Sequence, residues 1–216
     1  MVMSEGLLGS HKSITSGTFN VYECPADKYA KVIVNVSADV VGNTGCVLHI
    51  SPTSTPTEAH TFQKENLNSI NNGFIRTAVI LTEGEWLSYT TTGAGINISV
   101  IGLEYTTNTK EIATTSLVTT NTEVVLYEAP VDETVTINTT VSAAMTGVNS
   151  ATTKLYVSST NASGGTLLVT NNINAGRSGF EYTGLSLSDG QKLILVTTNI
   201  VGQLATRVHG FRRDVQ

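Results

Sequence analysis

Along residues 30–38 apolar and polar positions alternate. Ala30, Val32, Val34, Val36 and Ala38 share one parity, and Lys31, Ile33, Asn35 and Ser37 the other. A period of two puts successive side chains on opposite faces of an extended chain, so the pattern predicts a half-buried strand over 29–38. Shorter runs predict strands at 19–23, 46–51, 74–81, 86–91 and 96–105. Turn signals separate them: Gly42-Asn43-Thr44-Gly45, the Pro52–Pro56 loop, Glu83-Gly84 and Gly93-Ala94-Gly95. A second series is predicted at 123–128, 135–143, 154–159, 165–170, 180–187, 192–197 and 204–211. No stretch carries a helical period. Residues 1–13 lack the alternation; with Leu7-Leu8 as their adjacent large apolar pair, they read as an N-terminal arm that a partner would order.

The two series are copies of each other. Val21-Tyr22-Glu23-Cys24-Pro25-Ala26-Asp27 returns as Leu126-Tyr127-Glu128-Ala129-Pro130-Val131-Asp132, an offset of 105. Val36-Ser37-Ala38 returns as Val141-Ser142-Ala143, and Leu48-His49-Ile50-Ser51 as Leu155-Tyr156-Val157-Ser158. Gly73-Phe74 matches Gly179-Phe180, Gly84 matches Gly190, and Val100-Ile101-Gly102-Leu103 matches Val208-His209-Gly210-Phe211. Order is kept and the offset stays between 105 and 108, as small loop insertions require. The expected organisation is an arm (1–13), a first domain (14–107), a short linker (108–115) and a second domain (116–216). About seven strands per domain, punctuated by turns, make the chain all-β: two tandem, duplicated antiparallel β-sandwich domains, Ig-like or jelly-roll.

Composition narrows the function. Charged residues are 13% of the chain and the net charge is −5. Neither half carries the basic stripe that nucleic acid requires. No apolar run approaches a membrane span, and no signal peptide is visible at the N-terminus, so the expectation is a chain folded in a cytoplasm with reduced thiols. Cys24 and Cys46 face Ala129 and roughly Thr153 in the other copy, which marks positions for small side chains rather than a disulfide.

Candidate chemistry is sparse. The histidines are His11, His49, His60 and His209; Tyr156 stands opposite His49 and Ile101 opposite His209, so the copies share no histidine site. No His-X-His, His-Glu-X-X-His or paired-Cys ligand spacing occurs, and each histidine reads as a surface or edge side chain. Asp27 and Asp132 read as turn residues, and Glu83 and Asp189 as hairpin turns before matched glycines. No calcium loop, phosphate-binding loop or Gly-X-Ser-X-Gly elbow is present. The reading is a protein that is not an enzyme, with no catalytic, cofactor-binding or metal residues and no cofactor. Tyr22, Tyr29, Trp86, Tyr89, Tyr105, Tyr127, Tyr156 and Tyr182 keep a sugar-binding alternative open.

Trp86 is singled out by the repeat. Leu87 pairs with Leu193 and Tyr89 with Leu195, which defines a core face; Trp86 pairs with Lys192 and points the other way. An indole on an outer face is a common interface anchor, so Trp86, Leu7 and Leu8 are candidate protein-interface residues.

Taken together, the repeated elements are a Tyr strand, Cys/Ala-Pro-X-Asp, alternating Val/Ile, Val-Ser-Ala, an X-Gly-Glu/Gln turn and a final Val-X-Gly-Leu/Phe strand. This pattern resembles the small β-sandwich domains of tailed-bacteriophage virion structural proteins of the decoration, neck and tail-accessory type, over both copies. The resemblance implies a virion component, assembled in the host bacterial cytoplasm, that binds other virion proteins of capsid, neck or tail. A homo-oligomer, trimer first, is expected, with no nucleic-acid or membrane partner. The alternative is a host-surface or glycan-binding module.

Overall fold

Main-chain pairing shapes the molecule more evenly than the hydrophobic pattern suggests. The computed structural model describes residues 2–39, 42–68, 70–106, 111–144, 150–174 and 179–214. Two compact units result, Met1–Thr57 with Gln63–Thr109, and Glu58–Phe62 with Lys110–Gln216.

In the first unit the strands are β1 (Val2–Lys12), β2 (Gly17–Glu23), β3 (Lys28–Ala38), β4 (Thr44–Ser51), β5 (Thr61–Leu67, whose first two residues fall in the second unit), β6 (Gly73–Leu81), β7 (Trp86–Thr91) and β8 (Ile96–Thr106). They form sheet A in the order β1-β8-β3-β6 and sheet B in the order β2-β7-β4-β5. In the second unit they are β9 (Glu111–Val118), β10 (Glu123–Glu128), β11 (Glu133–Ala143), β12 (Ser150–Ser158), β13 (Thr166–Ile173), β14 (Gly179–Ser188), β15 (Lys192–Val201) and β16 (Leu204–Asp214). They form sheet C, β9-β16-β11-β14, and sheet D, β10-β15-β12-β13. Numbered within its unit, each set reads 1-8-3-6 and 2-7-4-5. The protein is thus all-β, with four small antiparallel sheets. Among the described residues two short 3-10 helices accompany the sheets: η1 (Glu58–His60) before β5, and η2 (Ala162–Gly164) before β13.

Alternation does its expected job in the cores. Ala30, Val32, Val34 and Val36 of β3 are buried, as are Ile96, Ile98 and Val100 of its partner β8 and Leu87 and Tyr89 of β7. The second unit has one core fed by both sheets: Val135, Ile137 and Val141 of β11 and Val208 of β16 meet Leu155 of β12 and Leu193 and Leu195 of β15. Each such side chain contributes roughly 1.5–3 kcal/mol when fully buried.

Three expectations need correction. The supposed arm is a strand: residues 2–12 pair antiparallel with β8 along their length. A ladder is made by N–H and C=O groups, so a segment without alternation joins a sheet edge as readily as an alternating one. Gly9 contributes by lying against the Val21 carbonyl, where a Cβ would collide. The linker is likewise partly strand, since residues 111–115 lie in β9, paired with β16; residues 107–110 fall outside the described residues. Finally, among the described residues each unit has eight strands rather than about seven, because β1, β5 and β9 escape a search for apolar alternation.

The repeated Pro-X-Asp motif is a matched turn. Lys28 N–H donates to Pro25 O (3.3 Å) and Glu133 N–H to Pro130 O (3.4 Å). Asp27 and Asp132 sit at φ 59° and 63°, a left-handed conformation that Asp tolerates better than most residues. A bulge recurs as well: the β3–β6 register shifts between Val32 and Val34, and the β11–β14 register between Ile137 and Thr139. The bulged residue is Ala78 at φ 54° in one copy and Gly184 at φ 71° in the other. An alanine held there is strained where glycine is not. Ala78→Gly is therefore expected to stabilise the protein by about 0.5–1 kcal/mol, read as a higher urea midpoint at unchanged slope; an unchanged or lower midpoint would contradict it.

Candidate interaction surfaces and buried polar clusters

A cluster of buried polar groups in the first unit lies where β2, β3 and β8 meet. Tyr22 Oη donates to Glu104 Oε1 at 3.0 Å, and Lys28 Nζ donates to Glu104 Oε2 at 2.6 Å. Cys24 lies beside them, its Sγ directed at the Lys28 and Leu81 carbonyls. Burial pushes the Tyr22 hydroxyl well above its ordinary pKa, reinforced by the neighbouring Cys24 and Glu104. Burial likewise pushes the Cys24 and Cys46 thiols up to about 12. Both cysteines are free. Thiols held this high are poor nucleophiles.

The second unit tells what this cluster is for. Tyr127, Glu133 and Arg212 occupy the positions of Tyr22, Lys28 and Glu104, and Arg212 Nη1 stands 3.8 Å from Glu133 Oε2. Ala30 pairs with Glu104 in one register and Val135 with Arg212 in the other, so the equivalence holds in space. The charges are exchanged while the tyrosine and the pair persist. Chemistry at a catalytic carboxylate would not survive that exchange; an ion pair tying β3 to β8, or β11 to β16, does.

The thiols give a prediction with a defined sign. Their folded pKa values lie above the unfolded one near 9, so their contribution to stability is complete below pH 9 and declines as pH rises toward 12. The native chain is expected to resist iodoacetamide at pH 8 and to take up two equivalents on denaturation, followed by intact mass; labelling of the native chain at the denatured rate would contradict the burial.

The histidines depart from expectation. None is exposed, and His49 and His209 are completely buried. His11 stacks on Phe19 with centroids 4.7 Å apart, and its Nδ1 lies 2.7 Å from Tyr89 Oη. His49 Nε2 lies 3.0 Å from Thr90 Oγ1. His209 has the Phe62 ring 6.3 Å away. His11, opposite core residue Ile98, points inward, whereas His49 and His209 are on sheet faces that point away from the cores, so their burial reflects what covers those faces, which periodicity does not encode. Among the described residues no group of three His, Cys, Asp or Glu side chains stands where it could hold a metal ion, and no helix is long and apolar enough to cross a membrane.

The three candidate interface residues are not brought together. Leu7 is exposed on the outward face of sheet A, opposite Ile101, and Leu8 is half-buried. Trp86 is half-buried at the end of β7 in sheet B, opposite Glu23 and Ser51, with its neighbour Leu87 fully buried in the core. The tyrosines divide in the same way. Tyr22, Tyr29 and Tyr89 are buried; Tyr29 stacks at 5.0 Å on half-buried Tyr105 on the outward parity of sheet A, with Lys31 Nζ 5.6 Å from the Tyr105 ring. Sequence reasoning missed the exposed apolar row beside them, Leu7, Ile101 and Ile33, because its members come from three strands. Ile33 on the polar parity of β3 is the one signal that pointed to it.

No family model matches the sequence, and no curated protein does either. Among solved structures, the chain is similar to the major capsid protein P2 of bacteriophage PM2 over 100% of its length and 98% of that chain, at 10% identity and a TM-score of 0.39. It is similar to PBSX exported protein XepA over 96% and 85% at 13% identity and a TM-score of 0.30. It is also similar to a peptide-N(4)-(N-acetyl-β-D-glucosaminyl) asparagine amidase over 98% and 96% at 7% identity and a TM-score of 0.46.

Proposed function

We propose that this chain is a non-enzymatic structural subunit of a bacteriophage particle, a capsid decoration or neck/tail accessory protein made of two tandem jelly rolls. The observation that carries the reading is the strand order, 1-8-3-6 with 2-7-4-5, occurring twice. That order is the one an interleaving of two Greek keys in an eight-stranded jelly roll would have, an architecture used in viral capsids and in lectins. The virion-protein resemblance of the repeated motifs favours the first use. In this reading the subunit assembles in the host bacterial cytoplasm, forms a homo-oligomer, trimer first, and binds other virion proteins, with half-buried Trp86 and exposed Leu7 among its contacts. Proteomic analysis of purified particles tests it: the chain should be present at a fixed stoichiometry, and its confinement to lysate with none on particles would overturn the reading.

A glycan-binding role is the second reading, favoured by the half-buried Tyr105 ring with Lys31 Nζ 5.6 Å from it. A glycan array tests it, and an array blank at high protein concentration removes it.

A further inference from the structure

Each unit acts as a control for the other. In the second unit the outward face of sheet C is closed: Thr140 and Ser142 of β11 and Ala205, Arg207 and His209 of β16 are buried. Residues 58–62 belong to that unit; η1 packs against β9 and β16, and Phe62, 2% exposed, lies against His209. In the first unit the same face is open and apolar. Ile101 replaces His209, Ile33 replaces Asn138, and Leu7 replaces Ala113, each in the equivalent register position. Ile101 and Ile33 are each 42% exposed and Leu7 65%. A groove of about 530 Å³ runs beside this row, past Gly6, Ala78 and Gly102.

The counterpart of segment 58–62 can also be located. Thr53 N–H donates to Ser51 Oγ at 3.2 Å, and Thr160 N–H to Ser158 Oγ at 3.1 Å, so the two loops start alike. Each then makes a 3-10 turn and enters its strand, as Thr61-Phe62 and as Thr166-Leu167. Leu167 is thus the counterpart of Phe62, yet it is 48% exposed. It ends an apolar row across sheet D, Val125, Ile194, Tyr156 and Leu167. The matching positions opposite one another in sheet B are polar: Asn20, Ser88 and His49. One plug and socket, Phe62 and His209, are joined within the chain; a second plug, Leu167, and a second socket, around Ile101, are both left open and both apolar.

We propose that Leu167 of one copy docks on the Leu7–Ile101–Ile33 row of a second copy, repeating between chains the contact that Phe62 makes with His209. The inference rests on the reading of a self-assembling structural subunit and names its contact. The occupant is a second copy because the missing plug is present, unpartnered, at the equivalent place in the same sequence. Plug and socket are different surfaces, so the association is head-to-tail and propagates into a ring or a filament. Exposed apolar side chains on both partners, Leu167 on one and Leu7, Ile101 and Ile33 on the other, are what such an interface would bury.

Sedimentation velocity on the full chain tests this with Ile101→Asp and Leu167→Asp, run separately and mixed. Both positions are exposed, so circular dichroism and melting should stay unchanged. The wild type is expected to form multimers and each variant alone to be monomeric. The equimolar mixture should give dimers, because each variant retains the face that the other lacks, and this also shows that both are folded. Three results would overturn the proposal: a wild type monomeric up to about 1 mM, the weak limit of specific association; variants that assemble like the wild type; or a mixture that stays monomeric. The two readings fail separately. Self-association by a chain absent from particles leaves this contact standing and removes the virion role, whereas a monomeric chain found on particles does the reverse.

Discussion

Gly102→Ala is expected to lower stability by about 3 kcal/mol or more, enough to threaten folding of the first unit. A Cβ at this position would overlap the Lys31 carbonyl oxygen and come within 2.8 Å of Val32 Cα and 2.9 Å of Val32 Cγ1. β8 runs between β1 and β3 in sheet A, so it cannot retreat from one neighbour without straining the other ladder. The atoms in the way are main chain or a β-branched side chain with a single preferred rotamer, which leaves no soft direction. The second unit repeats the constraint. A Cβ on Gly210 would overlap the Thr136 carbonyl oxygen and lie 2.8 Å from Ile137 Cα. Gly210→Ala should therefore cost a similar amount. Urea unfolding of the purified variants reads both, and a loss under about 1 kcal/mol at either site would show that the strands give way more easily than their position allows.

The second large effect concerns the exchanged ion pair. Glu104→Leu is expected to cost about 2–4 kcal/mol, because it leaves Lys28 beside a low-dielectric core and removes the acceptor of the Tyr22 hydroxyl. The Glu104 side chain is 8% exposed and that of Lys28 25%, so desolvation outweighs what water can restore. The repeat supplies the control. Lys28→Glu combined with Glu104→Arg installs the arrangement used by Glu133 and Arg212, and it should recover at least half of the loss seen in either single change. A double-mutant cycle in urea measures the coupling. A double variant no more stable than the worse single variant would mean that the sign of the pair is set by its surroundings, and that the two units are less equivalent than their registers imply.

The sequence by itself determined that the protein is all-β, that two copies of one plan follow each other, and which parity of each alternating strand faces a core. Tyr22-Glu23-Cys24-Pro25 and its echo marked a real turn, and the pairing of Leu87 with Leu193 marked a real core face, because a period of two is imposed by the extended backbone itself.

Tertiary structure alone decided three things. It turned residues 2–12 and 111–118 into sheet-edge strands, because ladder hydrogen bonds use main-chain groups common to every residue. It buried His49, Arg207 and His209, whose outward parity says only which way a side chain points and nothing of what lies above it. It also set Leu7, Ile101 and Ile33 side by side, although they are separated by tens of residues in the chain. Lateral neighbours in a sheet are chosen by strand order, and strand order is fixed by long-range pairing, a property that no local pattern of apolar and polar residues contains.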